Sequence, residues 1–194
     1  MDSIRKNKNE MFDNLRKRFA YARIISEAKA LSRQKRVFNI EDAKTIGIVF
    51  RFTTNEDFDL LKKYVLYLRE MKKKVKAIGY YSTKSEPRVQ YSKVDYDLFG
   101  KSSFNWFGKP TDHILKNFIE EEFDILIDLN PEDDLVITYI AATSRAHFKI
   151  GRYAENNVIH DMQIESPQEK GLKYFLRQVD TYLLKINKTA EDTL

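Results

Sequence analysis

The spacing of apolar positions changes along the chain, and each change marks an element. From Ser3 to Arg36 no Gly or Pro interrupts the pattern. Phe12, Leu15, Phe19, Ala22, Ile25, Ala28 and Leu31 recur at three-and-four spacing opposite basic residues, which predicts an amphipathic helix. About thirty residues at ~1.5 Å each reach ~45 Å, further than a small domain is wide, so this helix either breaks or projects. After Asn39-Ile40-Glu41-Asp42 the period falls to two, and Ile46, Ile48, Phe50 and Phe52 predict a first strand. The polar stretch Thr53 to Asp57 leads into the helical stripe Phe58, Leu61, Val65, Leu68 and Met71, and Lys72-Lys73-Lys74 closes that helix in accord with its dipole.

Val75 to Tyr81 predicts a second strand, parallel to the first. Between Ser82 and Pro110 the pattern blurs into short extended pieces, Arg88 to Tyr91 and Phe104 to Phe107. Thr111 to Glu121 reads as a helix carrying Ile114, Leu115 and Phe118, and Phe123 to Leu129 as the most apolar strand, expected at the centre of the sheet. Asn130-Pro131, with Asp133 following, has the residue types of a helix start, and that helix is expected to run to about Ser144. Phe148 to Gly151 and Val158 to Ile164 predict two more short strands, the latter at a sheet edge. Ser166-Pro167-Gln168-Glu169 reads as a capping box before a last helix with the stripe Leu172, Phe175, Val179, Tyr182 and Ile186.

Repeated strand–helix alternation implies an α/β fold: a three-layer, mostly parallel, doubly wound sheet of the Rossmann-like or flavodoxin-like kind, preceded by a long N-terminal amphipathic helix. The expected organisation is a basic helical segment over residues 1–38, a Rossmann-like domain over 39–188 and a disordered tail over 189–194. A chain of 194 residues suits one domain of ordinary size and is too short for two nucleotide-binding domains.

Charge sharpens this division. Residues 1–36 carry eleven Lys/Arg against four Asp/Glu, a net of +7, whereas the whole chain is only +5, so the remainder is at −2. A basic nucleic-acid footprint spread over the folded domain is therefore disfavoured. If the basic segment has a partner, it is a protein, an RNA or an anionic membrane surface met through residues 1–36, or a second copy of the chain in a homodimer. The absence of cysteine excludes disulfides, thiolate metal sites and cysteine nucleophiles. With neither a long apolar run nor a signal-like leader, the expected location is cytoplasmic.

Two stretches resemble known families. Phe123-Asp124-Ile125-Leu126-Ile127-Asp128-Leu129, then a helix, then Ala146-His147-Phe148-Lys149-Ile150-Gly151, is similar to part of the N-terminal Rossmann-like domain of heptosyltransferase-type glycosyltransferases. Arg51-Phe52-Thr53-Thr54-Asn55-Glu56-Asp57 resembles the loop after their first strand, where Asp57 would take the place of the catalytic base; Glu56 stands where those enzymes have glycine. Over the whole chain, Phe104-Asn105-Trp106-Phe107-Gly108-Lys109-Pro110 together with Phe123 to Asn130 and Phe148 to Gly151 resembles an uncharacterised family of small α/β proteins from Bacteroidetes.

Ligands of open α/β sheets gather at the carboxyl ends of strands, near a switch in strand order, which makes Thr53, Thr54, Asn55, Asp57, Asp128 and Asn130 the candidate ligand-binding residues. The hydroxyls and the following helix N-terminus could hold a phosphate or carboxylate, although Thr53-x-x-Glu56 and Asn130-Pro131 serve equally as helix starts. Asp57 with Asp128 would supply a carboxylate pair if the two approach closely. Glycine-rich phosphate loops and a GxSxG elbow are missing, and His113, His147 and His160 lack metal-ligand spacing and read as surface or interface residues. The aromatics Tyr80, Tyr81, Tyr91, Tyr96, Phe99, Phe104, Trp106 and Phe107 would offer stacking surfaces for a sugar, base or peptide, but packing beneath an irregular loop is the favoured reading. No catalytic, metal or cofactor residue is assigned. The sequence reading favours a non-catalytic binding or interaction module, with a sugar-binding or phosphorylated-ligand-binding protein or enzyme as the alternative.

Overall fold

A computed structural model describes residues 18–83, 96–105, 109–131, 134–155 and 157–186. The expected helical start at 3–17, the extended piece Arg88 to Tyr91, Trp106 to Gly108, Asp133 and the tail 189–194 lie outside them.

The first described helix, α1, covers 18–30. It is followed by β1 (Thr45–Arg51), α2 (Asn55–Glu70), β2 (Lys74–Tyr80), β3 (Tyr96–Phe99), α3 (His113–Glu120), β4 (Ile125–Asp128), α4 (Leu135–Thr143), β5 (Phe148–Arg152), β6 (Met162–Ile164) and α5 (Gly171–Lys185). The six strands form one sheet in the order β3-β2-β1-β4-β5-β6. Every pairing among them is parallel. This is the strand order of the dinucleotide-binding Rossmann arrangement, and it reverses between β1 and β4.

The reversal explains the layers. Crossovers of one hand that step outward in opposite directions must lay their helices on opposite faces. Accordingly α2 and α5 bury Phe58, Leu61, Val65, Leu68, Phe175 and Val179 against Ile48, Phe50, Ile127 and Ile150 on one face. On the other, α1, α3 and α4 bury Ile24, Leu115, Phe118, Ile137 and Ile140 against Val49, Ile78 and Leu126. Phe123 and Phe175 are among the largest side chains with no effective exposure, and burying each is worth ~2–3 kcal/mol.

Several local expectations are corrected. The N-terminal helix does not run to Arg36: α1 ends at 30, and the following segment turns along the amino end of β5. There the Arg33 guanidinium donates to the carbonyls of Ala146 and His147 and grips both oxygens of Asp161 at 2.7 and 2.8 Å. Such a bidentate charged contact outweighs continuation of a helix whose last turn would face solvent. The helix after β4 starts later than Asn130-Pro131, because Asp134 is its N-cap, its side chain accepting from Val136 N–H. The capping box at Ser166 to Glu169 is not used: a 3₁₀ turn, Gln168–Lys170, precedes α5, and the Ser166 hydroxyl instead bonds Arg152 Nη1 at 2.7 Å. At the start of α2 the cap is Thr54 rather than Thr53.

Candidate functional site

The strands end, on one side of the sheet, in two adjoining hollows. The larger, about 420 Å³, lies over the ends of β4, β5 and β6 and is lined by Tyr21 of α1, Thr138 of α4 and a ring of polar groups that includes Asp128, Asn130, Arg152, Asn157 and His160. Asp128 is the last residue of β4 and shares the sheet face of Leu126, two positions earlier, as strand alternation requires. Its side chain is only 10% exposed, and that of His160 only 6%.

A chain of hydrogen bonds holds these groups in place. Asp128 Oδ1 accepts the Asn130 N–H at 2.9 Å, and Oδ2 lies 3.1 Å from His160 Nε2. Nδ1 of the same ring lies 3.0 Å from Asn157 Nδ2, while Asn157 Oδ1 accepts the Ile159 N–H at 2.8 Å. That last bond orients the amide, so its NH₂ donates to Nδ1 and the ring carries its proton on Nε2, directed at Asp128. With both ring nitrogens engaged, His160 fixes the carboxylate; the carboxylate and the amides are the groups presented to the hollow. The imidazole rests on Gly151, where an added Cβ would sit 2.5 Å from Nε2 and 2.6 Å from Nδ1. Absence of a side chain at Gly151 is thus what admits the ring.

Arg152 ends β5 on the opposite sheet face. Its guanidinium lies 4.2 Å over the centre of the Phe175 ring, Nη1 donates to the Ser166 carbonyl and hydroxyl, and its buried Nε has no hydrogen-bond partner. Burial lowers its pKa from the usual arginine value, and nearby Asp128 opposes that shift.

The smaller hollow, about 250 Å³, opens on the other face and is lined mainly by apolar groups, among them Phe50, Phe52, Phe58, Leu129 and Leu172. Pro131, Arg152 and Gln168 belong to the walls of both hollows. Gln168 Nε2 donates to the Pro131 carbonyl at 3.1 Å across their boundary.

The residues singled out from sequence divide between these spaces. Thr53, Thr54 and Asp57 line the apolar hollow, Asp128 and Asn130 line the polar one, and Asn55 opens α2 without lining either. Asp57 and Asp128 are therefore in different compartments rather than paired in one. The threonine hydroxyls are occupied locally: Thr53 Oγ1 donates to Asp57 Oδ2 at 2.9 Å, and Thr54 Oγ1 accepts the Asp57 N–H at 3.1 Å. A carboxylate thus already sits in the first turn of α2. His160 is not a surface histidine, contrary to the expectation from sequence, whereas Asn157 was not singled out and Gln168 was read only as part of a capping box. The available signal was positional: the connection from β5 to parallel β6 leaves β5 at the same sheet edge as the loops after β1 and β4 before it returns to the amino end of β6. Among the described residues, no group of three or more His, Cys, Asp or Glu could hold a metal ion, and no helix is long and apolar enough to cross a membrane.

A family model described as a family of unknown function (DUF6913) matches residues 16–186. No curated protein and no solved structure matches the chain.

Proposed function

The chain belongs to that family of unknown function, and from its geometry we propose that it binds a small hydroxylated molecule, of the sugar or nucleoside kind, in the polar hollow. The observation that carries the reading is the buried Asp128–His160–Asn157 chain at the wall of a 420 Å³ space beside the reversal in strand order. Spaces of ~300–1,000 Å³ with a few fixed polar groups are the usual form of small-molecule sites. A carboxylate and amides held by neighbours suit ligand hydroxyls, which donate and accept at once, and Tyr21 and Tyr153 add aromatic surface at the same wall. The resemblance of Phe123 to Gly151 to part of a glycosyltransferase domain supports the same ligand class, although this reading assigns no transfer reaction. A cytoplasmic location and a Bacteroidetes lineage are parts of this proposal.

A thermal-shift series with sugars, sugar phosphates and nucleosides tests the proposal. A ligand at 100 times its Kd adds ~2.7 kcal/mol of stability, a readily measured rise in melting temperature. Asp128→Asn and Asn157→Ala are expected to abolish the rise. A complete panel without a shift would overturn the reading.

A second reading, docking of a partner through residues 1–36, is supported by the +7 charge of that segment. Against it, the apolar face of the described helix is already engaged, with Ile24 in the core and Tyr21, Ile25 and Ala28 packed beside it. We rank this reading second.

A further inference from the structure

We propose that the two hollows are one bipartite site for a hydroxylated ring joined to a flat π-faced ring, the chemistry shared by aryl glycosides and nucleosides, with the Gln168–Pro131 contact as the partition that yields on binding. This rests on the ligand class proposed above and adds the second half of the molecule.

Size is the first argument. At about 250 Å³ the apolar hollow falls below the usual range for an independent small-molecule site, whereas the polar hollow at about 420 Å³ falls within it. The smaller space makes sense as an annex. Position is the second: the hollows lie on opposite faces of the sheet and meet over the strand ends at Pro131, Arg152 and Gln168. A ligand crossing that edge would lie over the point where strand order reverses.

Lining chemistry is the third. The polar compartment presents Asp128, Asn130 and Asn157, whereas the annex presents aromatic rings. Phe58 packs against Phe52 with centroids 5.5 Å apart and against Phe50 at 5.9 Å. Such a wall favours a flat ring, by offset stacking or edge-to-face contact, over a bulky polar group. The partition is the fourth. Arg152, held by Ser166 and Phe175, forms its fixed floor, and above it the compartments are closed by one exposed hydrogen bond, 3.1 Å long, from Gln168. Water can replace a bond of that kind at little net cost, so rotation of Gln168 is an inexpensive way to join the compartments.

Calorimetry on the full chain with two matched pairs of probes provides the test: methyl and phenyl β-D-glucopyranoside, and methyl β-D-ribofuranoside and uridine. In whichever pair binds, the member with the aromatic group is expected to bind ~tenfold tighter or more, since burying a ring removes on the order of 100 Å² of apolar surface from water. Leu172→Trp, which extends an indole into the annex, should reduce that gain severalfold while leaving the methyl member's affinity within twofold; retained affinity for the methyl member also shows that the variant is folded. If that variant does not fold, Leu172→Gln is expected to reduce the same gain. Asp128→Asn should weaken both members equally. Equal affinities within a binding pair would overturn the bipartite site and leave the polar site standing. Binding of neither pair would overturn the ligand class and the bipartite site with it. The pair that binds distinguishes the glycoside source from the nucleoside source.

Discussion

At the scale of single residues, two positions on β5 carry more than their side-chain types suggest. Gly151 leaves the space that the His160 ring fills, so Gly151→Ala forces that ring away from its bonds to Asp128 and Asn157. Overpacking of this kind costs ~1–3 kcal/mol. The expected outcome is a lower melting temperature together with altered imidazole ¹⁵N signals for His160; an unchanged ring spectrum would show that the ring is not seated on Gly151. Two residues earlier, Lys149 is 2% exposed, and its ammonium group donates to the Ala142 carbonyl at 2.8 Å. Burial, reinforced by Arg33 and opposed by Asp161, lowers its pKa from 10.5 to about 7. Between those values the unfolded chain holds more protons at this site than the folded one, so the Lys149 contribution to stability rises with pH from about 7 to 10.5 and is flat below, where both states are protonated. Lys149→Met is expected to remove that slope and to stabilise the protein at neutral pH by on the order of a few kcal/mol, because an apolar side chain carries no buried charge. Denaturant titrations of both proteins at pH 6.5, 8 and 9.5 measure the difference directly.

At the scale of elements, helix ends show what the sequence reveals and what it conceals. The apolar stripe of α2 was legible because Phe58, Leu61, Val65 and Leu68 all meet the core. Most strands were legible from their short apolar runs, but β3 was not: Tyr96–Phe99 lies in the blurred stretch between Ser82 and Pro110, where extended pieces were expected at Arg88 to Tyr91 and Phe104 to Phe107 instead. Caps were less legible, because several Asp, Asn, Ser and Thr residues compete near each start and tertiary partners decide among them. Asp134 rather than Asn130 caps α4, while the Asn130 N–H is bound by Asp128; Ser166 is drawn from α5 by Arg152. Of the site, the loops after β1 and β4 were legible from the strand-end rule. His160 was not, because it fell inside the strand expected over Val158 to Ile164, whereas β6 starts only at Met162, and Asn157 lies just before that expected strand. The end of α2 yields a prediction. Lys72 has φ 62°, in the left-handed region, and Lys72 and Lys73 donate to the Arg69 and Leu68 carbonyls in the manner of a helix-terminating turn. Lys72→Gly is expected to stabilise the protein by ~1 kcal/mol, as glycine takes that conformation without the Cβ penalty. The urea midpoint should rise with an unchanged slope.

At the scale of the whole molecule, the described part of the N-terminal segment, residues 18–38, packs on the sheet. α1 covers one sheet face through Ile24, which is 6% exposed, and supplies Tyr21 to the polar hollow. Beyond it, the chain passes beneath β5 to the opposite face, where Phe38 and Ile40 join the other core cluster. The passage is fastened at Arg33, whose partner Asp161 is pushed up in pKa by burial but brought net below the usual carboxylate value by Arg33 and the Lys149 N–H. It is fastened again at Asn39, which donates to the Leu184 and Ile186 carbonyls at the end of α5. Removing residues 1–36 therefore strips a helix from one face and leaves Asp161 without its bidentate cation. Lost core burial at Ile24 costs ~2–4 kcal/mol, and an unpaired, largely buried carboxylate ~3–5 kcal/mol. Together these approach the whole stability of an ordinary domain. A chain beginning at residue 37 is expected to be unfolded or strongly destabilised, whereas one beginning at residue 18 keeps the α1 and Arg33 contacts and is expected to fold. Circular dichroism melts of the two truncations decide the matter. If the chain beginning at 37 matched the full chain, α1 would be an independent arm, and docking through the basic segment would become the leading functional reading.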